Sequence, residues 1–292
     1  MTRRAWLLFV AMCVLWGIPY LLIKVAVGEL SPVLVVFART TLGAAILLPI
    51  AAGRGQLGLL RPHWRALLGF TFLEIAAPWL LLCDAERHLT SSLTGLLVAA
   101  VPLVAAVASL AWGMADRLDR TRLLGLLVGI VGVGVLLGLD IGGEAWAAVE
   151  IGLVVVGYGT APIIVSRKLA DVPSLAVIAG SLALTAVVYA PFAAMSWPAH
   201  LPSAKVLGSL AVLAVACTVA AFLVFFALIA EAGPNRALVI TFVNPAVAVL
   251  LGVLLLGEGF TTGMALGFPL ILVGCVLATR HSRDRMPALA EP

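Results

Sequence analysis

Long apolar runs separated by brief polar breaks fill the chain, and within each run the apolar positions are continuous rather than alternating. A helix needs ~20 apolar residues to cross a ~30 Å hydrocarbon layer. Ten stretches follow that pattern, at roughly 5–27, 33–52, 65–83, 92–113, 122–139, 146–166, 174–195, 205–229, 237–256 and 263–279. An outer-membrane barrel would show weak period-two alternation instead. The pattern therefore predicts an all-α membrane protein with ten transmembrane helices. What lies between the runs is short and holds no soluble domain.

The pattern also recurs. A run near 92–136 returns near 235–278 with its landmarks in order. Val101-Pro102 corresponds to Asn244-Pro245 at an offset of 143, and Asp116 to Glu258, Gly125 to Gly267 and Gly132 to Gly274 at an offset of 142. Residues 1–140 are thus read as one repeat of five helices, 146–280 as a second, and 281–292 as a short tail. Because five is odd, the second unit enters the membrane from the opposite side, which makes an inverted-topology repeat. Such pairs hold a substrate near the midplane and expose it to alternate sides by rocking.

Composition changes the picture only by strengthening it. Of 292 residues, 63% are hydrophobic and 11% charged, with a mean hydropathy of +1.18. A soluble domain carries about 25% charged residues, so membrane lipid is the solvent. Arg3-Arg4 ahead of an apolar run superficially fits a signal peptide, but the run is long, carries Trp16-Gly17 and Pro19, and lacks a small-x-small cleavage site. It reads as the first span. Cys13, Cys83, Cys217 and Cys275 lie in separate spans with no CxxC spacing, which argues for buried small side chains and against a metal or redox site.

A net charge of +4 would suit nucleic acid, but its distribution explains it otherwise. With a cytoplasmic N-terminus, the inner loops and tails collect Arg3, Arg4, Arg54, Arg61, Arg65, Arg117, Arg120, Arg122, Arg167, Lys168, Arg236, Arg280, Arg283 and Arg285. Lys24, Arg87 and Lys205 fall outside, and Arg39 lies within a span. Excess Lys and Arg in cytoplasmic loops sets orientation, so both termini should be cytoplasmic and no nucleic-acid partner is needed. Short loops without glycosylation sequons fit a bacterial inner membrane.

Few side chains inside the spans can handle charge. Glu74 lies nine residues past Arg65, ~13 Å into the layer. An intramembrane carboxylate is a functional candidate, and protons are the candidate coupling ion. Its alternative role is a hydrogen-bonded strut between helices. Arg39, six residues into span 2, could pair with Glu74, anchor an anionic substrate group, or snorkel to the interface. Pro102 and Pro245 break equivalent spans and free backbone carbonyls, which in lipid must find protein or a wet cavity. Asn244 could hydrogen-bond there. Trp16, Tyr20, Trp79 and Tyr158 are candidate cavity aromatics, whereas Trp112, Trp146 and Trp197 fall near span ends, as interfacial residues do. Gly125, Gly129, Gly134 and Gly138 in span 5, with Gly263, Gly267 and Gly274 in span 10, put small residues at helix-packing spacing. They suit either span 5 on span 10 or a homodimer, so monomer and homodimer both stay open.

Several of these residues carry a resemblance. Trp16-Gly17 followed by Lys24, Glu29-Leu30-Ser31-Pro32 and Phe37-Ala38-Arg39 resembles the opening of an EamA-type member of the drug/metabolite transporter superfamily. So do Ala85-Glu86-Arg87-His88-Leu89, Leu93-Thr94-Gly95-Leu96-Leu97, Val101-Pro102 and Asn244-Pro245 with Glu258. The resemblance covers essentially the whole chain as two repeats. It implies a central cavity lined by spans 1–4 and 6–9, spans 5 and 10 at the periphery, and export of amino acids, other small metabolites or drugs. The second half departs from the pattern. It offers Gly157-Tyr158-Gly159 where span 1 has Trp-Gly, and Gly180 near the position of Arg39.

Other classes fit less well. No HExxH, GxSxG or P-loop occurs, and His63, His88, His200 and His281 fall in loops or tails, so neither an intramembrane enzyme nor a metal or other cofactor is expected. A channel would need rings of like charge or a carbonyl filter. An uncoupled facilitator is the nearest alternative to a coupled carrier of a small-molecule substrate.

Overall fold

The computed structural model describes residues 2–113, 119–140, 144–233, 237 and 239–279. Asp116, Arg117, Arg236 and everything from Arg280 onward lie outside the described residues. So therefore do the Asp116–Glu258 correspondence, His281, part of the charge bias and the 281–292 tail.

Among the described residues ten long apolar helices follow one another: α1 (Arg3–Ala26), α2 (Pro32–Gly53), α3 (Leu57–His88), α4 (Ser91–Ala111), α5 (Arg120–Asp140), α6 (Ala145–Lys168), α7 (Ser174–Met195), α8 (Ala204–Ala232), α9 (Ile240–Leu256) and α10 (Thr262–Ala278). Eight are long and apolar enough to span alone, and α9 and α10 have 17 residues each, the short end of spanning length. Six of the helices begin where the sequence supplies a side-chain cap. The hydroxyls of Thr2, Ser31, Thr90, Ser203 and Thr261 and the carboxylate of Asp119 accept hydrogen bonds from first-turn amides that would otherwise be orphaned. The membrane face bearing the N-terminus is the near face, and the opposite one the far face.

Proline shapes the interruptions. Pro19 splits α1 at Ile18, and α4 breaks at Ala99–Ala100 just before Pro102. In α3 the helix widens to a π-turn over Phe72–Ala76, directly before Pro78, whose missing N–H leaves the Glu74 carbonyl without its usual donor. Helix α8 carries a matching π-turn over Val215–Ala220 with no proline. There the Thr218 hydroxyl donates back to the Leu213 carbonyl, five residues earlier, at 2.8 Å. Phe72 and Val215 differ by the repeat offset of 143, so both units carry the same defect at the same height.

Packing follows the internal two-fold. The equivalent helices α5 and α10, α2 and α7, and α4 and α9 pack on each other, while α1 lies on α8 and α9 as α6 lies on α3 and α4. The α5–α10 contact is the most extensive. Gly132 makes it possible, because a Cβ there would meet the Ile271 amide nitrogen at 2.7 Å and the Gly267 carbonyl at 2.8 Å. Gly134 and Gly138 face open space instead. The span-5 glycines therefore split between intramolecular packing and the outer surface.

One departure from the internal symmetry concerns access. On the far face the Pro19–Ala26 segment of α1 packs against α3 and α4, but among the described residues α6 makes no comparable contact with α8 or α9 on the near face. Far-face ties between the units are numerous. Glu29 accepts from the Ser203 amide at 2.7 Å, Ser31 meets Ser196 at 3.3 Å, Thr261 donates to Asp140 at 2.8 Å, and Glu258 accepts from Ser91 and Ser92.

Candidate substrate and coupling site

Arg39 is buried on α2, far from any snorkelling position. Its guanidinium carbon stands 3.6 Å from the centre of the Trp79 ring of α3, and its Nε donates to Thr218 Oγ1 of α8 at 2.8 Å. The π-turn of α8 makes that second contact, presenting Thr218 as donor to its own helix and acceptor to Arg39. No hydrogen bond from the Nη atoms of Arg39 is found among the described residues. Tyr20 of α1, Cys83 of α3, Tyr158 of α6 and Cys217 of α8 lie within electrostatic range of its charge. Five helices from both units thus converge on one cation.

Glu74 sits half-buried in the π-turn of α3, electrostatically near Tyr158 and without a hydrogen bond or ion pair among the described residues. It does not pair with Arg39. The ion pairs among the described residues lie elsewhere: Arg4 with Glu231, Arg87 with Asp84 at 3.1 Å, and His88 with Glu144. The reason is directional, since Arg39 is fixed by stacking on Trp79 and by the single hydrogen bond from its Nε to Thr218.

Trp16 belongs to a neighbouring aromatic cluster, 4.8 Å from Phe225 and 5.9 Å from Phe222 of α8. Asn244 is buried between α9 and α1. With its amide oriented to donate, it reaches the carbonyls of Ile240 at 3.0 Å and Cys13 at 3.2 Å. Its hydrogen bonds therefore hold two helices together rather than facing a void. Pro102 and Pro245 are both buried, and the carbonyl of Ala99 at the α4 break is met by the Cys275 thiol of α10 at 3.3 Å. That partner comes from protein and not from a wet cavity. All four cysteines are free and buried. A groove of about 560 Å³ between α2 and the α7–α8 loop, lined by Leu34, Phe37, Trp197 and Leu210, is apolar and lies on the other side of α2 from Arg39.

Equal-length helices α2 and α7 set Ser181, one residue beyond Gly180, as the counterpart of Arg39. Ser181 accepts from the Thr71 hydroxyl of α3 at 2.8 Å, so a neutral hydrogen bond stands where the first unit has its cation. Two functional-looking residues escape a reading of the sequence. Thr218 is uncharged in an apolar run and has no signal of its own. Glu86 is fully buried on the last turns of α3, both carboxyl oxygens without a partner. A span ending near residue 83 assigns it to a loop, whereas the helix continues to His88.

Ten apolar helices among the described residues, in two repeated units of opposite topology, define a multi-span membrane protein of the transporter class. The chain belongs to the EamA-like transporter family, whose pattern matches residues 3–138 and again 145–280. It is 23% identical over 299 aligned positions to "Uncharacterized transporter YvbV" of Bacillus subtilis, covering 99% of this chain and 95% of that one. It is 27% identical over 273 positions to "Uncharacterized inner membrane transporter YedA" of Escherichia coli strain K12, covering 92% and 88%. A solved crystal structure shares the fold with a TM-score of 0.67 at 22% identity, covering 96% of this chain and 97% of that one.

Proposed function

We propose that the protein is a proton- or potential-coupled secondary carrier that exports small carboxylate-bearing metabolites, amino acids and related amphipathic compounds, by alternating access. The observation that carries this reading is Arg39. A buried guanidinium with no carboxylate partner and with unengaged Nη atoms is suited to a planar anion, which it grips in a bidentate fork. Trp79, Tyr20 and Tyr158 offer flat apolar surface around it for the rest of the molecule. Glu74, unpartnered in a π-turn near the midplane, is the coupling carboxylate. Trp16 and the breaks at Pro102 and Pro245, with Asn244, shape the helices that rock.

The far-face ties, and the lack of a comparable near-face contact of α6 among the described residues, support a state open towards the near face. Charge bias supports a cytoplasmic near face with both termini inside, and the inner-membrane name of one relative supports a bacterial inner membrane. Export is the direction the family resemblance favours.

Solute-driven current and pH change in proteoliposomes, across a panel of amino acids and cationic drugs, test the reading. Saturable flux with counterflow, abolished in folded Glu74→Gln, is expected for carboxylate-bearing solutes. Flux that persists in Glu74→Gln overturns the coupling role and leaves an uncoupled facilitator. Flux confined to cationic drugs overturns the substrate class.

A further inference from the structure

The far-face seal is built around a carboxyl group that the central site does not use. Glu86 is 0% exposed, and neither oxygen has a hydrogen-bond partner among the described residues. The groups able to serve it are turned elsewhere. Lys24 of α1 reaches over α3 and donates to the backbone carbonyls of Glu86 at 2.6 Å and Leu89 at 2.8 Å. Its ammonium thus clasps the open carbonyl end of α3, where a cation is favoured. Glu258, from the α9–α10 loop, is consumed by the N-terminus of α4, accepting from the Ser91 amide at 2.7 Å and from the Ser92 amide at 2.9 Å and hydroxyl at 2.5 Å.

We propose that Glu86 is a proton-binding site that decides whether the far-face gate between α1 and α3 is shut. In the shut arrangement no described residue donates to either carboxyl oxygen, and an unpaired buried charge is untenable there. Only the carboxylic acid fits. Opening the gate lifts the Pro19–Ala26 segment of α1, wets Glu86 and lets its O–H bond break, sending the proton to far-face water and leaving a carboxylate. Lys24, freed from the carbonyls, is then at hand as counter-ion and holds the open form. Closing requires the proton back. Acid at the far face therefore shuts the gate, and alkali opens it.

The remaining charged and titratable neighbours are accounted for. From α1, Tyr20 faces Glu86 together with Lys24. On α3 itself Cys83 lies one turn below, Arg87 pairs with Asp84, and Asp84 also meets Glu150 of α6. Arg39 of α2 is in range of Tyr20 and Cys83. The first turn of α4 contributes the serine hydroxyls.

The proposal takes its purpose from the carrier reading, but its test needs no substrate. Spin labels at Gly28 and Gly259, exposed on the α1–α2 and α9–α10 loops, report the width of the far face in proteoliposomes by pulsed electron resonance. In the wild type the ratio of shut to open molecules should fall by up to about tenfold per pH unit once the site titrates. Glu86→Gln should stay shut at every pH, while Glu86→Asp and Glu150→Gln keep the slope. A pH-independent distance in the wild type overturns the proposal, as does a slope that survives Glu86→Gln or disappears only in Glu150→Gln. Should Glu86→Gln fail to fold, infrared difference spectra between acid and alkaline pH decide. A protonated carboxyl C=O band that vanishes in alkali and shifts in Glu86→Asp is expected, and a band identical in both proteins overturns the assignment. A gate that ignores pH leaves the carrier reading intact, and a pH-driven gate without flux does the reverse.

Discussion

Arg39 donates to Thr218 across the repeat boundary at 2.8 Å, and on the other side of the internal two-fold Thr71 donates to Ser181 at the same distance. The two bonds join the same pair of helix types, span 2 or 7 to span 3 or 8. Only one carries charge. The scaffold is the same in both units, but one holds a cation where the other holds a serine.

This asymmetry makes a paired prediction. Thr218→Val preserves shape but removes the acceptor of Arg39 Nε, stranding a buried donor at a cost of about 1–3 kcal/mol. Thr71→Val also strands a hydroxyl partner, at Ser181, but touches no charge. Both should lower the melting temperature in detergent. Only Thr218→Val should raise the concentration of carboxylate solute needed for half-maximal flux, by roughly tenfold for every 1.4 kcal/mol lost.

Arg39→Lys tests the fork and the stack together. Lysine keeps the charge but lacks the planar guanidinium that lies on Trp79 and bonds Thr218. A desolvated cation–π contact is worth about 2 kcal/mol, so transport should fall at least about tenfold. Fluorescence-detected size exclusion would show the protein still monodisperse. Normal flux in Arg39→Lys would reduce Arg39 to a plain point charge.

The α5–α10 seam predicts a contrast between neighbouring glycines. Gly132→Ala drives a methyl against the backbone of α10, where nothing flexible can yield, and should cost about 1–3 kcal/mol. Gly134→Ala faces open space and should change stability by no more than about 0.5 kcal/mol. Thermal melts of the two variants in one detergent decide it. Equal destabilisation would mean that the surface at Gly134 is covered by another copy of the chain.

Much of this was legible without coordinates, and what was not has a physical reason. Ten spans and an inverted repeat follow from hydropathy, offsets and loop charge, because the bilayer fixes length and backbone satisfaction so tightly. Arg39 and Glu74 could be singled out because charge in an apolar run is rare. Their failure to pair could not, since it depends on which way two side chains point across helices. Glu86 was hidden by its neighbours. Asp84, Glu86, Arg87 and His88 look like a polar loop, yet the helix runs on to His88 rather than ending near residue 83. The π-turn of α3 had a marker in Pro78. That of α8 had none beyond its offset from the first. Asn244 looks like a cavity residue in the sequence because the carbonyls it meets, of Ile240 and Cys13, are backbone atoms that any sequence would offer.

Far-face closure should respond to acid at a second, exposed place. Hydrogen bonds from the Ser203 side chain and, at 2.7 Å, from its amide hold the carboxyl of Glu29, on the α1–α2 loop, below its ordinary pKa. A depressed carboxyl contributes its tie above the unperturbed range and loses it as pH falls through the lowered value. The Glu29–Ser203 link should therefore be intact at neutral pH and break only below about pH 4. The protection of the Ser203 amide, its exchange rate relative to the unstructured rate at the same pH, should fall there in the wild type, and be low and insensitive to pH in Glu29→Ala. Protection that falls already near pH 6 would assign the tie to another group.

Glu258 makes the last prediction, and it separates a cap from a charge. Its carboxylate receives two amides and one hydroxyl at the start of α4, linking the second unit to the first across the far face. Glu258→Ala leaves Ser91 and Ser92 amides orphaned in a dry setting, where losing one cap costs about 1–2 kcal/mol. Glu258→Gln keeps one acceptor oxygen but turns an NH₂ towards a donor, so it should recover only part of the loss. A cap role thus predicts stability in the order wild type, Gln, Ala, with exchange at Ser91 and Ser92 rising in the same order. If Gln matches the wild type, charge is irrelevant there and the hydroxyl of Ser92 alone fastens the loop. If Gln is no better than Ala, the negative charge itself holds α4 through its helix dipole, and added salt should then weaken the wild type towards both variants.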